Sequence, residues 1–419
     1  MILIILIAAA YAVCGIIVAP YMKKISARTH NTALIFAGAV CVRIIAAAVY
    51  PGYGVDMNCF SSWADIAYDG GLYSFYTNGI FSDYPPGYIY ILYIVGFIKH
   101  IFGFNTAGMY FVLKIPAMLC DILCAALLLK TVDKNKAHAT LCAALLLFNP
   151  AILINSAVWG QVDSVFTIFV LLTMYFIYNK QLYPAYFAFA AAVFIKPQAL
   201  FYTPVVFYAF AEQVIMNNFS VRRLLRHIAA GAAAIIMIVL LALPFNISAV
   251  ISQYRDTIGS YNFASVNAYN LWTALGLNWH KPNAAVTALG YAFIIMIVAV
   301  SAYIYFRKKA DNRCFFVSAF ICFSTFMLSI KMHDRYAYPA ILLMLFAYAL
   351  SENKNELWLF LGITFFQFIN AAHVLFYYDS ETYYSTSFGT VAICISIAAT
   401  VFFAVMWAYT LKQKGIYKK

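Results

Sequence analysis

The chain has 419 residues, 65% of them hydrophobic and 10% charged, where an ordinary soluble domain carries roughly 25% charged residues. No soluble core buries that many apolar side chains, because a globule still needs a polar shell. Soluble enzymes, disordered chains and disulfide-stapled secreted modules are excluded, and a polytopic membrane protein with little separate soluble domain remains. The net charge is +12, from 27 Lys and Arg against 15 Asp and Glu. In this setting the excess reads as membrane topology, since cytoplasmic loops collect basic residues, and no nucleic-acid partner is expected. The nine cysteines lie mostly inside apolar runs, with no C-x-x-C pair and no Cys/His cluster at zinc spacing. Residues 1–20 lack a basic n-region and read as a first span, not a cleaved signal.

A spanning helix needs about 20 mostly apolar residues. In chain order, candidate spans cover 1–20, 32–50, 107–130, 138–155, 161–178, 182–195, 198–211, 226–245, 286–306, 314–330, 337–350, 357–376 and 387–411. The pair 182–195 and 198–211 also reads as half-helices or a re-entrant segment. Residues 86–104 are apolar and aromatic too, and the basic residues decide their placement. If 86–104 lies along the interface, one face collects Lys23, Lys24, Arg28, Lys130, Lys134, Lys136, Lys180, Arg222, Arg223, Arg226, Arg307, Lys308, Lys309, Arg313, Lys354, Lys412, Lys414, Lys418 and Lys419, which is 19 of the 27 basic residues. The other face holds Lys99, Lys196, Arg255, Lys281, Lys331 and Arg335, while Arg43 and Lys114 fall within spans. If 86–104 crossed, every later loop would invert. The expected fold is therefore an all-α polytopic membrane protein, a single domain over 1–419 with about 11–13 transmembrane helices. Its N-terminus is outside and its C-terminus inside, with a first outer loop at 51–106 carrying interfacial helices and a large outer loop at 246–285.

With this topology the polar clusters all fall on the outer face, which points to chemistry at the outer membrane interface. The first outer loop holds four carboxylates, Asp56, Asp65, Asp69 and Asp83. Asp56 follows a span closely and should lie near the membrane plane. Asp65 and Asp69, four apart, share one helix face and read as solvated. Asp83-Tyr84-Pro85-Pro86 begins the interfacial segment, where Asp83 reads as a helix cap or a site carboxylate. Next come Asn149-Pro150, Asn155 and Trp159-Gly160-Gln161-Val162-Asp163-Ser164. Here Trp159 either anchors at the interface or stacks on a sugar ring, and Asp163 either caps a helix or lines a polar pocket with Gln161. Phe194-Ile195-Lys196-Pro197-Gln198 sets a lysine between apolar runs, either snorkelling or forming an anion site. Ser265-Val266-Asn267-Ala268-Tyr269-Asn270-Leu271-Trp272 is a polar-aromatic patch suited to carbohydrate or lipid head groups. Lys331-Met332-His333-Asp334-Arg335-Tyr336 groups cations that suit phosphate. Lys114 and Asp121 are seven apart on one span, so they share a face and pair directly or through other helices. With Arg43 they read as structural.

In this order the motifs DYPP, NP…WGQVDS, FIKPQ, NAYNLW and MHDRY resemble the GT-C superfamily of membrane glycosyltransferases, closest in type to bacterial polyprenyl-phosphate-mannose transferases. The resemblance covers nearly the whole chain. It implies a GT-C fold and a hexosyltransferase that takes its sugar, mannose first, from a polyprenyl-phosphate donor. The acceptor hydroxyl belongs to a lipid, a cell-envelope glycan or a protein at the outer face of a bacterial plasma membrane. By position Asp56 matches the family's catalytic carboxylate and His333 the residue that approaches the donor phosphate. Asp334 stands where many relatives have Glu, and the first span is extra to the simplest family topology.

On this reading Asp56 is the general base of a single inverting displacement. Lys196, His333 and Arg335 bind the donor phosphate, and Asp83, Trp159, Gln161, Asp163, Gln198, Asn267 and Asn270 line the substrate site. Asp56-Met57-Asn58 is a poor match to a metal-binding DxD, so no cofactor is expected, although some superfamily members need a divalent ion. The alternative is a lipid-linked sugar flippase or transporter, which would need polar groups at midplane, where only Arg43, Lys114 and Asp121 stand. A third reading is an inactive scaffold on the same fold.

Overall fold

A computed structural model describes residues 1–22, 29–77, 79, 81–133, 135–217, 219–307, 310–378 and 389–412. Of the inner-face cations, Lys23, Lys24, Arg28, Lys134, Lys308, Lys309, Lys414, Lys418 and Lys419 lie outside the described residues. In chain order the helices are α1 (Ile2–Met22), α2 (Thr29–Val49), α3 (Gly54–Asp69), α4 (Pro86–Phe102), α5 (Thr106–Thr131), α6 (Lys136–Leu147), α7 (Pro150–Leu153), α8 (Asp163–Tyr178), α9 (Leu182–Ile195), α10 (Thr203–Phe210), α11 (Val221–Ala242), α12 (Ile247–Ser260), α13 (Leu271–Ala274), α14 (Ala284–Arg307), α15 (Arg313–Leu328), α16 (Tyr338–Ser351), α17 (Lys354–Tyr377) and α18 (Thr390–Lys412). A π-helical turn, Ile154–Trp159, continues α7. A 3-10 turn, Pro197–Tyr202, leads into α10, and a second π turn, Ala211–Met216, ends it. Strands β1 (Ser265–Val266) and β2 (Met332–His333) form a short parallel pair.

The chain is thus all-α, and among the described residues seven helices are long and apolar enough to cross a membrane. They are Thr32–Val49, Thr106–Thr131, Pro197–Met216, Val221–Ala242, Ala284–Arg307, Lys354–Tyr377 and Thr390–Lys412. The count is eight if the pair Lys136–Leu147 and Pro150–Trp159, bent by 45°, makes one span. Helices occupy every run expected to span, but fewer than the expected 11–13 pass by length. α15 has 16 residues, about 24 Å at 1.5 Å per residue, against a hydrocarbon core of about 30 Å. It stops where the MHDRY turn begins, as α9 stops at FIKPQ. The segment expected at 198–211 lies within the 20-residue run Pro197–Met216, which is long and apolar enough to span, whereas its partner α9 has 14 residues.

The protein divides into two compact units, one of residues 1–40, 122–155 and 262–419, the other of residues 41–121 and 156–261. In the first unit α15 packs on α14 and α16, and α17 on α16 and α1. α15 is buried all round and α16 nearly so, with Phe315 stacked on Phe346 at 5.2 Å. A helix apolar on every side is a core helix. Polar groups in this core are matched: Glu356 accepts from Asn312 at 2.8 Å and from Ser351 at 2.6 Å. Asn149 caps α7 ahead of Pro150, and its amide donates to Thr364 at 3.0 Å.

In the second unit α8 packs on α9, α9 on α11 and α4, and α3 on α4. Glycines let α4 come backbone-close to its neighbours. A Cβ on Gly96 would stand 2.4 Å from the Ala64 carbonyl oxygen of α3, and one on Gly87 would stand 2.5 Å from that of Phe194 at the end of α9. α11 instead exposes Ile228, Ile235, Ile236 and Val239, the apolar exterior a membrane helix presents.

Candidate functional site

Within the second unit the chemistry gathers around the segment from Ser156 to Ser164. Asp56 stands in the first turn of α3, where a carboxylate is favoured by the helix dipole. Trp159 Nε1 donates to Asp56 Oδ2 at 2.7 Å, and Gln161 Nε2 donates to the same oxygen at 2.5 Å. Oδ1 accepts no hydrogen bond from the described residues. Trp159 and Gln161 are fully buried, whereas Asp56 is half-buried. One carboxylate oxygen is therefore fixed and the other is presented.

Two glycines make this clamp possible. Gly52 and Gly160 have φ of 97° and 88°, a region that favours glycine. A Cβ on Gly52 would lie 2.7 Å from the Trp159 carbonyl oxygen, and one on Gly160 would lie 2.6 Å from Met57 Sδ.

The same segment ties two further carboxylates. Asp121 of α5 accepts from Arg43 Nε at 3.1 Å, Ser156 Oγ at 2.5 Å and Ser164 Oγ at 2.6 Å, all buried. Asp163 takes Lys196 Nζ at 2.5 Å, with side chains 1% and 5% exposed. The rings of Phe166 and Tyr84 lie 5.4 Å and 5.9 Å from that ammonium. Lys114 does not pair with Asp121. Its ammonium donates to the carbonyls of Ala47, at 3.4 Å, and Tyr50, closing the end of α2, as a cation at a helix C-terminus should.

Asp163 is the first residue of α8, not its N-cap, which is Val162. Nor does Asp83 cap α4: Pro85 holds that position and no side-chain cap is made. Asp83 nonetheless reaches the site electrostatically. Burial pushes the Cys59 thiol on α3 above its usual value, and the Asp56 and Asp83 charges push it further. Asp65 pairs with Lys99 of α4 at 2.6 Å in a partly exposed setting, and Asp69 is exposed. Gln198, in the turn after Lys196, is half-buried. Its Oε1, like Gln161 Oε1, is buried without a hydrogen bond from the described residues.

In the first unit the NAYNLW and MHDRY segments meet through β1 and β2, with Val266 opposite His333. Asn267, at φ 56°, bridges to His333 as well. Its Oδ1 accepts from Asn278 Nδ2 at 3.1 Å and Trp279 Nε1 at 2.9 Å. Asn270 Oδ1 caps α13, and its Nδ2 donates to the Phe326 carbonyl at 3.1 Å. Both asparagines are fully buried, and their bonds hold this loop together. Asp334 is buried beside Arg335, Nη1 to Oδ1 3.4 Å, and His333 packs on Tyr336 at 4.9 Å.

α17 braces both loops. Asn370 accepts from the Tyr269 amide at 2.9 Å and donates to the Asn267 carbonyl at 2.8 Å, while Gln367 donates to the Asp334 carbonyl at 2.9 Å. Asn278, Gln367 and Asn370 were not anticipated. Polar residues at 367 and 370 within an apolar span were the available signal.

No protein-family model matches the chain, and no curated protein sequence matches it.

Proposed function

We propose that the protein is a glycosyltransferase of the GT-C kind, moving a hexose, mannose first, from a polyprenyl phosphate to an acceptor hydroxyl on the outer side of a bacterial plasma membrane. The observation that carries this reading is the Asp56 carboxylate, clamped through Oδ2 by Trp159 and Gln161 and open at Oδ1 among the described residues. A general base needs that arrangement: a fixed orientation and a free lone pair within reach of an O–H. Asp56 Oδ1 takes the acceptor proton while the acceptor oxygen attacks the anomeric carbon. The bond to the carrier phosphate breaks on the opposite side, and the configuration inverts. The phosphate leaves as an anion and needs charge stabilisation more than a proton.

His333 and Arg335 are assigned to that phosphate on the resemblance alone. Lys196, expected to join them, already holds Asp163 at 2.5 Å, so in this reading it serves chiefly as the counter-ion of that carboxylate. Trp159 positions Asp56, because its ring is fully buried and its N–H is engaged.

The flippase alternative draws on ionisable groups inside the membrane. Arg43 and Asp121 are such groups, but their closure with Ser156 and Ser164 supports a tie between helices.

The test is transfer by purified protein in liposomes supplied with a panel of labelled polyprenyl-phosphate sugars. The expected result is a product of inverted configuration, formed in the presence of EDTA and lost in Asp56→Asn. Arg335→Lys and His333→Ala should raise the donor KM. Counterflow of lipid-linked sugar without product would replace this reading with the flippase.

A further inference from the structure

We infer that Arg222 and Arg226 form a binding site for an anionic phospholipid on the membrane-facing side of α11; this goes beyond the transferase reading and does not rest on it. The two arginines lie one turn apart on one helix face, a spacing that sets Cβ atoms about 5–6 Å from each other. Both are exposed, and neither makes a hydrogen bond or ion pair among the described residues. Leu225 and Ile228 beside them are 58% and 55% exposed. The rotation of α11 is set from its other side. His227 is buried against α9, stacked on the Tyr183 ring at 4.6 Å and hydrogen-bonded with the Tyr186 hydroxyl at 3.1 Å. Arg223 is half-buried and donates to the Asn217 carbonyl at 3.2 Å. Glu212, the carboxylate on the Ala211–Met216 turn that packs on α11, pairs with neither Arg222 nor Arg226.

Two features leave this pair in want of an anion. From Ile228 to Ala242 the helix carries no charged residue, and that stretch measures only about 22 Å against a hydrocarbon core of about 30 Å. The arginine turn is therefore drawn toward the edge of the hydrocarbon, where a cation needs a counter-charge. The helix also begins with no acidic residue in its first turn, so its dipole disfavours cations there. Among the described residues the protein supplies no partner on this face, and α11 is long and apolar enough to span, so lipid must supply one. A phosphate ester set between the two guanidinium groups takes charge-assisted, forked hydrogen bonds. The exposed side chains of Ile228, Ile235, Ile236 and Val239 continue from it along α11 as a surface for acyl chains. A choline headgroup brings its own ammonium against the arginines, whereas a net-negative headgroup does not. The site therefore selects phosphatidylglycerol over phosphatidylcholine.

The experiment installs the photo-crosslinker benzoylphenylalanine at Leu225 in the full chain, held in nanodiscs of equal phosphatidylglycerol and phosphatidylcholine with matched acyl chains. Adduct masses give the lipid ratio at that position, and the same label at Ile295, exposed on α14, gives the bulk ratio. Phosphatidylglycerol should be enriched about tenfold or more at Leu225 over Ile295. Arg222→Gln and Arg226→Gln should each cut the enrichment about fivefold, the strength of one basic residue near an anionic surface, and together return it to the bulk ratio. Arg255→Gln, at an exposed arginine on α12, should leave it unchanged, and excess glycerol 3-phosphate should not displace the lipid. No enrichment at Leu225, enrichment that survives in the folded double variant, or an equal loss in Arg255→Gln would each overturn the inference. Displacement by glycerol 3-phosphate would overturn it in favour of a site for a soluble anion. If the double variant does not fold, the two single variants decide in its place.

Discussion

Gln161 and Asp56 are joined through one carboxylate oxygen, the same oxygen that receives the Trp159 indole N–H. The shared contact leaves Asp56 oriented from one side and open on the other. Loss of the base in Asp56→Asn should lower kcat by about 10²–10⁴-fold with unchanged thermal unfolding. Trp159→Phe and Gln161→Leu keep the carboxylate but release it, so a partial fall in kcat with little change in donor KM is expected. A purely structural role would lower stability without moving the pH profile. Full activity in a folded Asp56→Asn would remove this residue from the chemistry.

Asp163 and Lys196 form a pair that is almost wholly buried. Removing one partner leaves the other charge unpaired, at a cost of about 3–5 kcal/mol. Lys196→Met and Asp163→Leu should each be strongly destabilising, and the double variant less so than their sum. A double-mutant cycle of unfolding in mixed micelles reads this coupling. The partly exposed Lys99–Asp65 pair serves as control, where exposed pairs contribute about 0–1 kcal/mol. Additive losses at Asp163 and Lys196 would show that the contact is not an ion pair in solution.

Much of this architecture was legible in the order of residues. Helices stand at every expected span because apolar runs bounded by polar turns leave the backbone few other ways to satisfy its hydrogen bonds in lipid. The short lengths of α9 and α15 were legible too, since FIKPQ and MHDRY bound the expected runs 182–195 and 314–330. At the site, Asp56, Trp159, Gln161, Asp163 and Lys196 were all singled out, but the pairs they form were not. Asp56 meets Gln161 across 105 residues of chain, and no local pattern encodes so distant a partner. Asn267 and Asn270 show how one composition serves two ends. Amide-aromatic composition suits a sugar, and it equally suits a loop that must satisfy its own backbone, as here.

Gly96 and Gly87 seat α4 against α3 and α9. A methyl group at Gly96 would meet the Ala64 carbonyl at 2.4 Å, a backbone atom that cannot swing aside. Gly96→Ala should push α4 from α3 and lower stability by about 1–3 kcal/mol, as overpacking does. Gly231→Ala is the control, because no atom lies within 4 Å of its Cβ position and alanine favours a helix. Unfolding midpoints of the two variants should move in opposite directions; a neutral Gly96→Ala would mean that the two helices slide apart without loss.

Cys59 reports on the charges around it. Its thiol is held above the ordinary value by burial first, then by Asp56 and Asp83. A carboxylate nearby disfavours the thiolate, so removing that charge must lower the thiol pKa. In a variant retaining Cys59 as its only cysteine, alkylation should follow a pH profile displaced to high pH, because the thiolate is the nucleophile. Asp56→Asn and Asp83→Asn should each shift the profile toward lower pH, raising the rate near pH 8, and the double variant should shift it furthest. Asp69→Asn, at the far end of α3 and exposed, should leave it in place. A profile that ignores Asp83→Asn would place the DYPP carboxylate outside the neighbourhood of Cys59 and Asp56.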